Sequence, residues 1–101
     1  MSKASRPYTE SLYEDLKDPE EAAEYLTAAL EEGSPDVFLL ALRDVAEAHG
    51  MKRLAEGAEL NRESMYRMLS DKGNPQLASL TAILHELGLR LAVEVHDTVA
   101  A

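Results

Sequence analysis

Apolar residues recur along most of this chain in steps of three and four, and Gly, Pro and capping residues punctuate the runs. Ala22, Tyr25, Leu26, Ala29 and Leu30 share one helical face. Asp18 precedes them as an N-cap, Pro19 suits the first helical position, Glu20 and Glu21 complement the helix dipole, and Gly33 offers a left-handed stop. The spacing predicts a helix over 19–32. The same punctuation then repeats, with Ser34 as cap, Pro35 and Asp36 in the first turn, an apolar body from Val37 to Ala48, and Gly50 at the end. Val37 to Leu42 is apolar nearly all round, which predicts the buried central helix. Upstream, Thr9 is a candidate cap for a short helix with Leu12, Tyr13 and Leu16 on one face.

Beyond Gly50 the elements shorten. Met51 to Ala58 forms two turns that bury Leu54, Ala55 and Ala58, and Asn61 caps a second short helix that buries Met65 and Met68. Only Glu59 and Leu60 lie between them. Asp71-Lys72-Gly73-Asn74-Pro75 is a strong turn signal, and Gln76 to Leu87 reads as a further helix on Leu77, Leu80, Ile83, Leu84 and Leu87, ended by Gly88. Leu89, Leu91, Val93 and Val95 alternate with Arg90, Ala92, Glu94 and His96, a period of two that predicts a short C-terminal β-strand. A lone strand leaves its backbone unpaired, so this one predicts a partner strand from a second protomer or from another protein.

A length of 101 residues, 46% hydrophobic and 29% charged, is the size and composition of one globular domain. Within the single domain 1–101, residues 1–33 form an N-terminal helical extension and 34–96 a core with the strand at its end. Cysteine is absent, which excludes disulfides, thiolate metal sites and cysteine nucleophiles. His49, His85 and His96 are too scattered for a metal site, and no nucleophile or acid–base pair stands out, so neither an enzyme nor a cofactor is expected. No apolar run approaches the roughly eighteen residues of a membrane span, and residues 1–10 are polar, so the protein is expected to be cytoplasmic and without a membrane partner.

The net charge of -9 argues against indiscriminate binding to nucleic acid, so DNA binding would need a local basic patch. Residues 1–36 carry ten acids and three bases, whereas residues 51–75 carry four acids and five bases. That one basic stretch contains the two short helices and their tight turn, the arrangement of a helix-turn-helix DNA reader. Ala55 permits a close crossing, and Leu54, Leu60, Met65 and Met68 supply buried contacts. Asn61, Arg62, Glu63, Ser64, Tyr66, Arg67 and Ser70 remain as candidate DNA-binding residues on the second helix, with Lys52, Arg53 and Lys72 as flanking phosphate anchors. Arg pairs bidentately with guanine, Asn with adenine, and Ser and Tyr hydroxyls with phosphates. Glu63, one turn before Arg67, either accepts from cytosine or orients that Arg.

The runs Leu16-Lys17-Asp18-Pro19-Glu20, Ala41-Leu42-Arg43-Asp44-Val45-Ala46, Ala48-His49-Gly50-Met51, Leu60-Asn61-Arg62-Glu63-Ser64-Met65-Tyr66-Arg67, Gly73-Asn74-Pro75 and Leu87-Gly88-Leu89-Arg90-Leu91 together resemble the addiction-module antidote proteins. These are small antitoxins with a Cro-type helix-turn-helix, and the resemblance covers roughly residues 8–96. It implies an all-α, lambda-repressor-like bundle of five or six short helices, sequence-specific binding to promoter DNA as a homodimer, neutralisation of a small basic RelE/ParE-like toxin, and repression of the shared operon. Two alternatives stay open: a toxin-binding inhibitor without DNA binding, and a phage-type repressor with no toxin partner. In one respect the chain departs from the family, which usually has glycine in the turn. Here Glu59 occupies it and Gly57 lies two residues earlier; a non-glycine in a left-handed turn costs about 1 kcal/mol, which predicts a loosened or reshaped turn.

Overall fold

A computed structural model describes residues 8–96. Six helices follow in order: α1 (Tyr8–Leu16), α2 (Pro19–Glu31), α3 (Pro35–His49), α4 (Met51–Ala58), α5 (Arg62–Met68) and α6 (Leu77–Glu86). The ends of the expected single domain, 1–7 and 97–101, lie outside the described residues. Helix α2 starts as its sequence dictates: the Asp18 side chain accepts a hydrogen bond from the Glu20 amide at 3.1 Å, and Pro19 occupies the first turn. Ser34 stands at the cap position of α3 but makes no side-chain capping bond. Thr9 is not a cap, because α1 already begins at Tyr8.

One continuous core holds the six helices together. Helix α3 packs against α1, α2 and α4, and α4 packs in turn against α5 and α6. Leu42, Val45, Leu54, Met65, Leu69 and Ile83 are the largest fully buried side chains, and Leu16, Leu26 and Leu87 extend the same cluster to α1, α2 and the end of α6. The second short helix turns a different stripe inward from the one expected: Met65 and Leu69, four residues apart, are fully buried, while Met68 is only half-buried. Likewise α3 is not buried all round. Val37 and Leu40 stay 38% and 44% exposed, because α1, α2 and α4 cover only part of its circumference.

The expected C-terminal strand is not formed among the described residues. From Leu89 to His96 the chain has no regular secondary structure; Leu89 is half-buried against the core, whereas Val93 and Val95 are 98% and 94% exposed. A strand exists only when its backbone groups find a second strand, and none is present there among the described residues.

Two helix ends use the same device. At the end of α6, Gly88 has φ 81°, the Leu89 amide donates to the Leu84 carbonyl at 2.8 Å, and the Gly88 amide donates to the His85 carbonyl at 3.0 Å. This is a Schellman motif. The end of α4 repeats it without glycine: Leu60 donates to the Ala55 carbonyl at 2.9 Å, Glu59 donates to the Glu56 carbonyl at 3.2 Å, and Glu59 is left-handed at φ 59°, ψ 44°. The turn is therefore neither loosened nor reshaped: it keeps its hydrogen bonds, with a left-handed glutamate in the place of glycine. Glu59→Gly is expected to raise stability by about 1 kcal/mol. Chemical denaturation checks this, with the transition moving to higher denaturant at an unchanged slope.

Candidate nucleic-acid interface

Helix α5 is placed by the cap at its start and by the buried side chains beneath it. The Asn61 carboxamide oxygen accepts from the Glu63 and Ser64 amides at 2.8 and 3.1 Å, which satisfies two of the donors that a helix start leaves free. Below it, Met65 and Leu69 are fully buried, and α5 packs against α4. Beyond α5 the chain doubles back so closely that a side-chain carbon at Gly73 would collide with the Met68 carbonyl, so only glycine fits there.

The opposite face carries the candidate residues. Asn61, Arg62, Glu63 and Arg67 are exposed, as are Lys52 and Arg53 on α4 and Lys72 after α5; Ser64, Tyr66 and Ser70 are half-buried. Arg67 donates from Nη2 to the Ser64 Oγ at 3.2 Å, so Ser64 orients it, whereas the sequence allows Glu63 that role as one of two. Ser70 is turned back onto the helix end: its Oγ donates to the Arg67 carbonyl at 3.0 Å and accepts from the Lys72 amide at 3.3 Å. Asn61 has its carboxamide oxygen committed to the cap, which removes the acceptor half of a bidentate pair with adenine and makes it a positioning residue.

Lys52, Arg53, Arg62 and Tyr66 come together around an open hollow of about 440 Å³, completed by Tyr13, Glu47, Gly50 and Met51. The start of α4 opens onto it, and no side chain caps that helix. Lys72 lies outside the hollow. One wall is a chain of contacts that the sequence reading missed. The Arg43 guanidinium sits 5.2 Å from the centre of the Tyr66 ring, Arg43 Nε lies 3.5 Å from the Glu47 carboxylate, and that carboxylate accepts from the Tyr13 hydroxyl at 2.8 Å. The four-residue spacing of Arg43 and Glu47 was the available signal for its middle link. Tyr66 is thereby held at the rim instead of projecting freely. The hollow's one carboxylate, Glu47, is engaged by Arg43 and Tyr13, so the three cations, the Tyr66 hydroxyl and the uncapped start of α4 give the hollow the chemistry to bind an anion. Among the described residues no cluster of His, Cys, Asp or Glu has a geometry for metal, and no helix is long and apolar enough to cross a membrane.

A family model described as "Probable addiction module antidote protein" matches residues 8–95, which is nearly all of the chain. The chain belongs to the addiction-module antidote family. An antidote implies a toxin partner, and such proteins are in general non-enzymatic regulators. This antidote protein is also 36% identical over 81 residues to an uncharacterized protein of Haemophilus influenzae (strain ATCC 51907 / DSM 11121 / KW20 / Rd), covering 80% of this chain and 84% of that protein. No solved structure matches the chain.

The antidote protein's Tyr13 ties the first helix to the hollow, and its bond to Glu47 has a pH signature. Donation to the Glu47 carboxylate, reinforced by burial, raises the Tyr13 hydroxyl from 10.0 to about 12. A folded pKa above the unfolded one stabilises fully below the unfolded value and loses that contribution as pH rises through the folded value. The stability difference between the wild type and Tyr13→Phe is therefore expected to be constant up to pH 10 and to shrink between pH 10 and about 12. Denaturation at stepped pH measures it, and the tyrosinate difference spectrum of the pair should have its midpoint near 12. A difference that stays level across that window would contradict the role given to the bond.

Proposed function

We propose that this antidote protein is a sequence-specific DNA-binding antitoxin of the lambda-repressor-like helix-turn-helix type, which neutralises a small basic RelE/ParE-like toxin and represses its own operon as a homodimer. The observation that carries the DNA-binding half is the two-sidedness of α5: Met65 and Leu69 lock one side into the core, and Arg62, Glu63 and Arg67 are exposed on the other. A helix so mounted offers its outer side chains to a major groove at little cost in ordering. Arg67 is the candidate base reader. The hollow under Lys52, Arg53 and Arg62 accepts a backbone phosphate, helped by the uncapped amides of α4, and Lys72 holds a further phosphate past the end of α5.

The homodimer rests on the C-terminal segment. Leu91, Val93 and Val95 alternate along it and are exposed, and two such segments paired across a two-fold axis would satisfy each other's backbone and cover those side chains. The net charge of -9 favours one alternative, a toxin inhibitor that never binds DNA. On the main reading the same charge makes the free protein a weak DNA binder, and a basic toxin strengthens it by cancelling part of the repulsion and linking dimers.

Anisotropy titrations with the promoter duplex and a random duplex, each at several salt concentrations, separate these readings. Wild type should saturate at two protomers per site. Arg67→Ala should weaken promoter binding by roughly 5- to 150-fold, the equivalent of about 1–3 kcal/mol, and leave random DNA unaffected. Lys52→Ala or Lys72→Ala should weaken both duplexes alike and lower the salt slope by about one unit. If promoter and random DNA bind equally to wild type and Arg67→Ala, α5 is not the reader; if neither binds at any salt, the inhibitor reading stands.

A further inference from the structure

The candidate DNA-binding residues leave another surface unused. Helices α2 and α3 form an antiparallel pair joined at Gly33 and Ser34, and an open groove of about 340 Å³ runs between them. Its floor is small and apolar, with Ala28, Ala29 and Ala41, and one wall is Val37 and Leu40, which remain 38% and 44% exposed. Acids close both ends: Glu32 lies at the turn, and Asp44 lies two helical turns along α3, where it accepts from the Tyr25 hydroxyl at 2.6 Å. On the other side of Ala28 a second depression lies along α2, lined by Ala23, Glu24, Thr27, Ala28 and Glu31. Neither depression is lined by a Lys or Arg, and neither shares a residue with the hollow beside α5.

We propose that the α2–α3 groove is the toxin-docking surface, and that it takes an apolar side chain of a basic partner flanked by Lys or Arg residues. The inference rests on the antitoxin reading and adds the place where the partner binds. Charge selects the occupant. An exposed apolar patch with acid at both ends attracts a cationic segment and repels DNA, and a second copy of this chain would set acid against acid. The exposed Ala23, Thr27 and Ala28 let a partner backbone approach α2 closely. Because the groove shares no lining residue with the hollow beside α5, toxin and operator can be held at the same time.

The test titrates the product of the adjacent gene of the operon, the candidate toxin, into the full chain by calorimetry. The double variant Glu32→Lys, Leu40→Ser removes one acid and the larger residue of the apolar wall, and spares Asp44, which holds Tyr25. Toxin affinity is expected to fall at least tenfold in this variant and to depend less steeply on salt than in wild type, while promoter binding is not weakened and the melting curve matches wild type. Arg67→Ala, which changes the DNA face alone, should bind toxin as wild type does. Hydrogen exchange on the wild-type complex needs no variant and should show slowed amides in α2 and α3. An undiminished affinity in the folded double variant, or protection confined to other helices, overturns the groove assignment while leaving the antitoxin reading intact. A wild type that fails to bind the neighbouring protein overturns both. A self-association by light scattering that the same two substitutions abolish would assign the groove to a second copy of the chain and overturn the toxin proposal.

Discussion

The seven residues of α5 are far too few to hold a helix in water, where roughly twelve to fifteen are marginal, so the candidate reader exists only because its inner side is packed. Two contributions hold it, and their sizes differ. The Asn61 cap contributes about 1 kcal/mol. Truncating a buried side chain of the size of Met65 or Leu69 costs about 2–5 kcal/mol. Packing therefore decides where α5 lies, and the cap decides where it begins. Since Met65 and Leu69 join the cluster that contains Leu42, Val45 and Leu54, the outward aim of Arg62 and Arg67 is fixed by α3 and α4.

The path from α4 into α5 imposes the second constraint. A chain that leaves one short helix and enters another within three residues needs a left-handed position, and Glu59 supplies it where glycine would cost less. Gly57 shows the converse: glycine in mid-helix costs about 1 kcal/mol relative to alanine. There the Glu86 carboxylate lies where a side chain would stand. The strain at Glu59 is small enough for a packed core to absorb, which is why the turn keeps its geometry without glycine.

Most helices were legible because Pro and Gly mark them. Asp18-Pro19 and Ser34-Pro35 open α2 and α3, and Gly33, Gly50 and Gly88 take positive φ where helices end. What was not legible depends on which neighbour covers which face. Periodicity allowed Met68 or Leu69 as the buried partner of Met65, and only the position of α5 on α4 settles it as Leu69. The alternation from Leu89 to Val95 reads as strand because side-chain pattern is local, whereas strand formation depends on a partner strand that the described residues do not supply. The contacts that hold Tyr66 run through Arg43 and Glu47 to Tyr13, thirty-four residues before Glu47 in sequence, and no local pattern joins those ends.

Charge is divided between two ends of function as well as of sequence. Ten of nineteen acids precede Val37, and the basic stretch of residues 51–75 frames α5, so the chain keeps its repulsion away from the surface proposed for DNA. The most direct test of that division is to titrate isotope-labelled protein with the promoter duplex and follow the backbone amides one by one. The largest shifts are expected at Lys52, Arg53, Arg62, Glu63, Arg67 and Lys72, with the amides of α2 unmoved. Shifts concentrated in α1 and α2, with α5 unaffected at saturation, would contradict the account.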